Sequence, residues 1–290
     1  MVDTRFAPTA DNVVLAGIAR ARGWVLDVDG CIVRTTAAGG SGGVPITGAV
    51  ELVHWLKATG KKIVVCTNAS QRTPARYAAS LRAMGFDIED GEMMTAATAA
   101  AAYVRAQHAD GPVVAIGDEG LLDALRAEGV VSASDDPRPP VAVVVGAADT
   151  YATRDINAAC LAIADNAAAF YVTVDTPWFH GGVKKAVSAS TAIARAIESV
   201  TGRSPVVCGK PAAAIADVIS DRLGLAGRDL VIVGDMASIE VKMARDMRAY
   251  GVLVLSGGTG AEDLPGLPPA HQPDACFENV GALLQAIQKL

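Results

Sequence analysis

The chain has 290 residues, is 51% hydrophobic and 19% charged, and carries a formal net charge of −6. It is long enough for one large or two medium domains, and without any block of like charge it argues against a nucleic acid polymer as the main partner. No apolar run reaches about 18 residues, so no membrane span is expected, whereas a small phosphorylated molecule, which needs only a local cation or metal, stays open.

The opening MVDTRFAPTADNVV has no basic stretch followed by a long apolar one, so no secretory signal is expected. The first predicted strand is Trp24–Leu26, an apolar run that ends in Asp27, Asp29 and Gly30. Such a run reads as a buried parallel strand, whose carboxyl end is where open α/β sheets hold ligands. Aspartates at i and i+2 of an extended chain share one side. One can attack a substrate while the other moves a proton.

Gly39–Gly43 reads as a flexible loop, and Thr47 as the cap of a helix with Val50, Val53 and Leu56 on one face. Ile63–Cys66 is the next strand, followed by a helix over Thr73–Met84. Between them, Thr67 and Asn68 bring a hydroxyl and an amide that can donate to a phosphoryl group. The same residue types also suit an ordinary helix start. The alanine-rich stretch from Ala96 to Ala102 suits a helix.

A second alternating block follows: strand Val113–Ile116, helix Leu121–Glu128, strand Val141–Val145, helix Ile156–Ala164 and strand Phe170–Val174. It reads as a small α/β unit of its own. Further strands are expected at Val206–Cys208, Leu230–Val233 and Val252–Leu255. Lys210 follows the first of these, and Pro211 suits the start of the next helix. Asp235 ends the second, where an acid is costly unless paired or bound to metal, and Glu240 follows five residues later. Val114–Asp123 has the same spacing of Gly-Asp and a later acid, but it precedes Lys210, so Gly117-Asp118 is assigned to a loop. Leu264–Pro273 reads as surface loop. The five cysteines are odd in number and form no C-x-x-C pair, which suits a reduced, cytoplasmic protein.

The four signals D-x-D-G, T-N, G-K-P and G-D-x4-E stand in this order, each at the end of a predicted strand. In that order they resemble the motifs of the haloacid dehalogenase (HAD) superfamily. Asp27 and Thr67 lie 40 residues apart, too few for an inserted domain, and Thr67 and Lys210 lie 143 apart. The insertion between the second and third motifs resembles the C2-cap arrangement. From Gly23 to Gly260 the chain resembles class IIA, the NagD-like and p-nitrophenyl phosphatase-like group. The stretches PITGAVELVHWLKATGKKIVVCTNAS, GEMMTAATAAAAYV and VLVLSGGTG also carry the likeness. The group usually has Thr-Asp where this chain has Ile239-Glu240, and Asn where it has Val174 before Asp175.

The resemblance implies an α/β fold: a Rossmann-like core with a parallel sheet, residues 1–108 and 204–290, and an inserted smaller α/β C2 cap, residues 109–203. It implies an Mg2+-dependent phosphomonoester hydrolase acting on a small phosphorylated metabolite. Asp27 would be the nucleophile and Asp29 the general acid and base, with Thr67, Asn68 and Lys210 holding the phosphoryl group and Gly30 leaving room for close approach. Asp27, the Asp29 carbonyl, Asp235 and Glu240, the last through water, would form the metal site. Asp175, Trp178, His180 and Lys184 are the candidate substrate contacts, weighed evenly against a role in cap packing and solvation. Caps of this class can also build a homodimer. The alternative function is a weak or inactive phospholigand-binding or scaffold protein on the same core.

Overall fold

The computed structural model describes residues 11–36, 38–40, 42–180, 183 and 185–290. Helix α1 (Asn12–Arg20) leads into β1 (Gly23–Leu26), a short antiparallel hairpin of β2 (Val33–Arg34) and β3 (Val44–Pro45), α2 (Ala49–Ala58), β4 (Lys62–Thr67), α3 (Pro74–Ala83), β5 (Met93–Thr95) and α4 (Ala96–Gln107). An inserted unit follows: β6 (Val113–Ile116), α5 (Glu119–Ala127), β7 (Ala142–Val145), α6 (Thr153–Asn166), β8 (Ala169–Val172), the antiparallel pair β9 (Trp178–His180) and β10 (Lys185–Val187), α7 (Ala189–Thr201) and β11 (Val206–Val207). The chain closes with α8 (Ala213–Leu223), β12 (Leu230–Gly234), a π-helical turn at Ala237–Val241, α9 (Lys242–Asp246), β13 (Tyr250–Val254), β14 (Ala275–Phe277) and α10 (Val280–Gln288).

The larger sheet has the order β14-β13-β12-β1-β4-β5, every neighbouring pair parallel. Alternation along β1 explains why it is apolar throughout. Trp24 and Leu26 join Leu52, Leu56, Leu81 and Leu283 on one face, and Val25 joins Ile215, Ile219 and Met243 on the other. Both faces are covered, as a parallel sheet requires. In register, Leu26 stands beside Val65 of β4 and Val233 of β12. Asp27, Thr67 and Asp235, one or two residues further on, therefore leave the sheet at the same edge.

The smaller sheet, β11-β8-β7-β6, is also parallel. Helices α6 and α7 cover one of its faces, while α4 and α5 cover the other. The alanine run in α4 is what lets one helix serve both units. Ala99 packs in the core of the larger sheet, and Ala97, Ala100 and Ala101 pack in that of the smaller. Small side chains permit close approach of backbones on both sides.

Two expectations change. Val206–Val207 pairs with β8 of the smaller sheet, so the chain returns to the larger unit after Val207 rather than at residue 204. Thr47 does not cap α2. The N-cap is Gly48, at φ +79°, because a Cβ there would meet the backbone of Gly281 at 2.2 Å. Residues 264–273 lie at the surface as expected, with short 3-10 turns at Ala261–Gly266 and Pro269–His271. Among the described residues no helix is long and apolar enough to cross a membrane, and the five cysteines are free thiols.

Candidate active site

A cavity of about 370 Å3 opens at the shared edge of the larger sheet and is roofed by the inserted unit. Asp27, Asp29, Asn68, Lys210, Asp235 and Glu240 line its inner end. The sequence motifs thus meet in space although Asp27 and Glu240 stand far apart in the chain.

Lys210 is the hub. It is 2% exposed, and its Nζ donates to Asp27 Oδ1 at 2.5 Å, to the Cys66 carbonyl at 2.8 Å and to Glu240 Oε1 at 2.9 Å. Burial works against its charge, but Asp27 and then Glu240 outweigh burial and hold the ammonium well above the ordinary lysine range. Its main chain is fixed too. Asn68 Oδ1 accepts from Lys210 N at 2.9 Å, and Asn68 Nδ2 donates to the Lys210 carbonyl at 3.1 Å. The Asn68 amide, expected to face a phosphoryl group, here clamps the lysine that would do so.

The Ile239-Glu240 departure has a physical account. The π-helical turn tucks Glu240 under the end of β12, where a Cβ on Gly234 would meet Glu240 Cγ at 2.1 Å. The second carboxylate oxygen accepts from Met236 N at 3.2 Å. Each Glu240 oxygen thus accepts one hydrogen bond from a protein group, Oε1 from Lys210 and Oε2 from Met236 N.

Asp29 is held by a loop that reads from the sequence as merely flexible. Gly39 N donates to its Oδ2 and Gly40 N to its Oδ1, each at 2.8 Å, and Thr67 Oγ1 donates to Oδ2 at 3.2 Å. Both glycines have positive φ, +74° and +76°. Burial, then the charge of Asp27, pushes the Asp29 carboxyl up to about 7, against the pull of those three donors. A carboxyl poised there can both give and take a proton near neutrality.

Asp235, close to Gly30, is 2% exposed, with Gly258 N donating to its Oδ2 at 2.6 Å. Burial, then Asp27 and Glu240, raises it well above the usual carboxylate range. A Cβ on Gly30 or Gly257 would meet Asp235 Oδ2 at 2.5 or 2.0 Å, so these glycines keep the space beside it clear. Among the described residues no group of three or more His, Cys, Asp or Glu side chains is arranged as a metal-binding cluster. The fit is instead to a hard cation that needs few protein ligands. Asp27 Oδ2 and Asp235 Oδ1 remain beyond the hydrogen bonds above, Asp29 offers a main-chain carbonyl, and phosphate and water complete such a set.

The motif-II loop also ties the two units together. Ser70, 1% exposed, accepts from Ala147 N at 2.9 Å and shares a hydrogen bond of 3.3 Å with Thr173 Oγ1. The Gln71 carbonyl accepts from Gly120 N at 3.0 Å, and Gln71 Nε2 donates to Asp149 at 2.8 Å. Neither residue stands out as a candidate in the sequence. The serine that closes TNAS is the signal that could have marked one of them.

At the outer end, Trp178 lines the cavity with Phe179 and Val187. Asp175 does not. It pairs with Arg195 at 2.6 Å. His180 lies on β9, but its side chain, like the whole of Lys184, falls outside what the structure describes. Asp118, the decoy, precedes α5 and accepts from Asp149 N at 3.0 Å.

Comparison with known proteins agrees with this geometry. Residues 24–131 match the family model "haloacid dehalogenase-like hydrolase", and residues 207–283 match a second one for HAD-like hydrolases. The chain is similar to a p-nitrophenyl phosphatase from Archaeoglobus fulgidus, with TM-score 0.80, 28% identity and coverage of 93% of this chain and 99% of that one. It is similar to chloroplastic phosphoglycolate phosphatase 1A of Arabidopsis thaliana, 27% identical over 87% of this chain and 73% of the relative. It is also similar to the glycerol phosphate phosphatase of Mycobacterium tuberculosis solved with magnesium, with TM-score 0.80, 25% identity and coverage of 92% and 77%.

Proposed function

We infer that this chain, which belongs to the haloacid dehalogenase-like hydrolases and is a phosphatase, hydrolyses small phosphomonoesters through an aspartyl phosphate on Asp27. The observation that carries this reading is the pairing of two unlike acids at one strand end. Asp27 is hydrogen-bonded to the Lys210 ammonium, while Asp29 is raised to about 7 and can carry a proton.

An Asp27 oxygen attacks phosphorus and the bond from phosphorus to the ester oxygen breaks. Asp29 gives its proton to the departing alkoxide. Water then attacks the aspartyl phosphate, Asp29 takes a proton from it, and Asp27 and phosphate are released. Lys210 stabilises charge on the phosphoryl oxygens, while Asn68 fixes its main chain and Glu240 its ammonium. The Gly39 and Gly40 amides and Thr67 orient Asp29. A bound Mg2+, held by Asp27, Asp235 and the Asp29 carbonyl, would neutralise the repulsion between Asp27 and a phosphate dianion. The non-catalytic alternative has less support, since each acid and base that the chemistry needs lies at one cavity.

Phosphate release from p-nitrophenyl phosphate, with and without EDTA, tests this reading. Turnover lost on chelation and restored by Mg2+ is the expected outcome. Undiminished turnover after chelation would sink the metal-dependent scheme.

A further inference from the structure

Building on the phosphatase reading, we propose that the inserted unit positions the catalytic lysine: Gly120 and Ser70 clamp the loop after β4, and that loop sets Lys210 through Asn68. Residues 117–120 share the spacing of the fourth motif but take no part in the chemistry above. They pack instead on the loop. Gly120 stands in the first turn of α5, where a glycine weakens the helix. A Cβ there would meet the Arg72 carbonyl oxygen at 2.5 Å and that of Ser70 at 2.6 Å. Both are main-chain atoms, so any larger residue would push the loop itself. Its missing side chain lets Gly120 N reach the Gln71 carbonyl at 3.0 Å.

The loop carries this contact inward. Ser70 Oγ accepts from Ala147 N and bonds to Thr173 Oγ1, so it meets the inserted unit just past the ends of β7 and β8. Asp118 N donates to the Ala147 carbonyl at 3.1 Å, which ties residues 117–120 to the same point. The Thr173 carbonyl in turn reaches Gly209, where a Cβ would meet it at 2.3 Å and Asn68 Oδ1 at 2.8 Å. Asn68 Oδ1 is the atom that accepts from Lys210 N. Gly209 thus lets a strand end of the inserted unit and the Asn68 amide close on the residue before Lys210.

Lys210 has little freedom to absorb a shift of its main chain. Its side chain is buried, and its Nζ is committed to Asp27, the Cys66 carbonyl and Glu240. A group that stabilises charge on a transferring phosphoryl works only in its place, and misplacement by about 1 Å costs up to about a hundredfold in rate. Gly120 lies outside the cavity, and Ser70 spends its hydroxyl on the inserted unit. Both are therefore positioning residues that act through Asn68.

Kinetics on p-nitrophenyl phosphate and the backbone amide signal of Lys210 together test the proposal. Labelling lysine with 15N and glycine with 13C singles out Lys61 and Lys210, the only lysines that follow a glycine, and Asn68→Ala tells the two apart. Gly120→Ala should lower kcat about tenfold or more and Ser70→Ala about threefold or more, with KM changed less than about threefold. The Lys210 amide should shift in both variants while that of Lys61 stays. Should Gly120→Ala fail to fold, Ser70→Ala decides alone. An unmoved Lys210 amide, parent kcat in a folded variant, or a loss carried by KM alone would overturn the proposal while leaving the phosphatase reading intact. A parent protein without turnover would overturn the phosphatase reading, and the Lys210 amide would then still decide whether the clamp reaches the lysine.

Discussion

The inner and outer ends of one cavity are built on opposite principles. At the inner end nearly every polar atom is committed. Lys210 makes three hydrogen bonds, Asp29 accepts three, and Asp235 is flanked by glycines that leave it space. At the outer end apolar side chains stand partly in water with few fixed partners. The difference is what a phosphatase needs. Preorganised charge performs the chemistry, and a softer apolar wall borders the leaving alcohol.

The contrast can be broken first where it is strongest. Asp27→Asn should reduce turnover by at least about a thousandfold while the protein keeps its circular dichroism spectrum, because it removes the nucleophile and little else. Turnover within tenfold of the parent would mean that Asp27 is not the attacking group. Lys210→Met should cost about 3–5 kcal/mol in urea unfolding, since it strands Asp27 and Glu240 as buried unpaired acids. Adding Glu240→Gln to that variant should return part of the loss, and a double mutant no more stable than the single would deny their pairing.

Ser70→Ala probes the seam between the two ends. It leaves Ala147 N without its acceptor and should cost about 1–3 kcal/mol by the same measurement. No change would show that the cap is held elsewhere. The inner acids also predict a pH response in metal-free protein. Asp29 has its carboxyl raised to about 7, so its contribution to stability is complete below the ordinary carboxylate range and is lost as pH rises through about 7. The thermal midpoint should fall over that interval, and Asp29→Asn should flatten the fall; equal slopes in the two proteins would contradict the assignment. The smallest effect belongs to the outer end, where Trp178→Ala should move stability by no more than about 0.5 kcal/mol. A larger loss would make Trp178 part of the packing.

The same contrast explains what could be read from the sequence. Asp27, Asp29, Thr67, Lys210 and Asp235 were legible because each follows an apolar strand, and parallel pairing in register brings strand ends to one edge. The central strands were legible for the same reason. Strands β5 and β14, of three residues each, are too short to show a period. The Gly39 and Gly40 amides were hidden because backbone donors carry no side-chain signature, and a glycine pair reads as flexibility. The part played by Glu240 depends on a π-helical turn that no periodicity announces. The outer end was the least legible. Asp175 stands four residues before the pocket-lining Phe179, yet it pairs with Arg195, and that pairing bridges a loop and a helix 20 residues apart.

The most direct test of the account is to trap the covalent intermediate. Acid quenching during turnover of p-nitrophenyl phosphate, followed by peptide mass mapping, should find one added phosphoryl mass on the peptide that contains Asp27, and none in Asp27→Asn. A phosphoryl group on another residue, or steady turnover with no phosphoenzyme at any quench time in either protein, would contradict the assignment of Asp27 as the nucleophile.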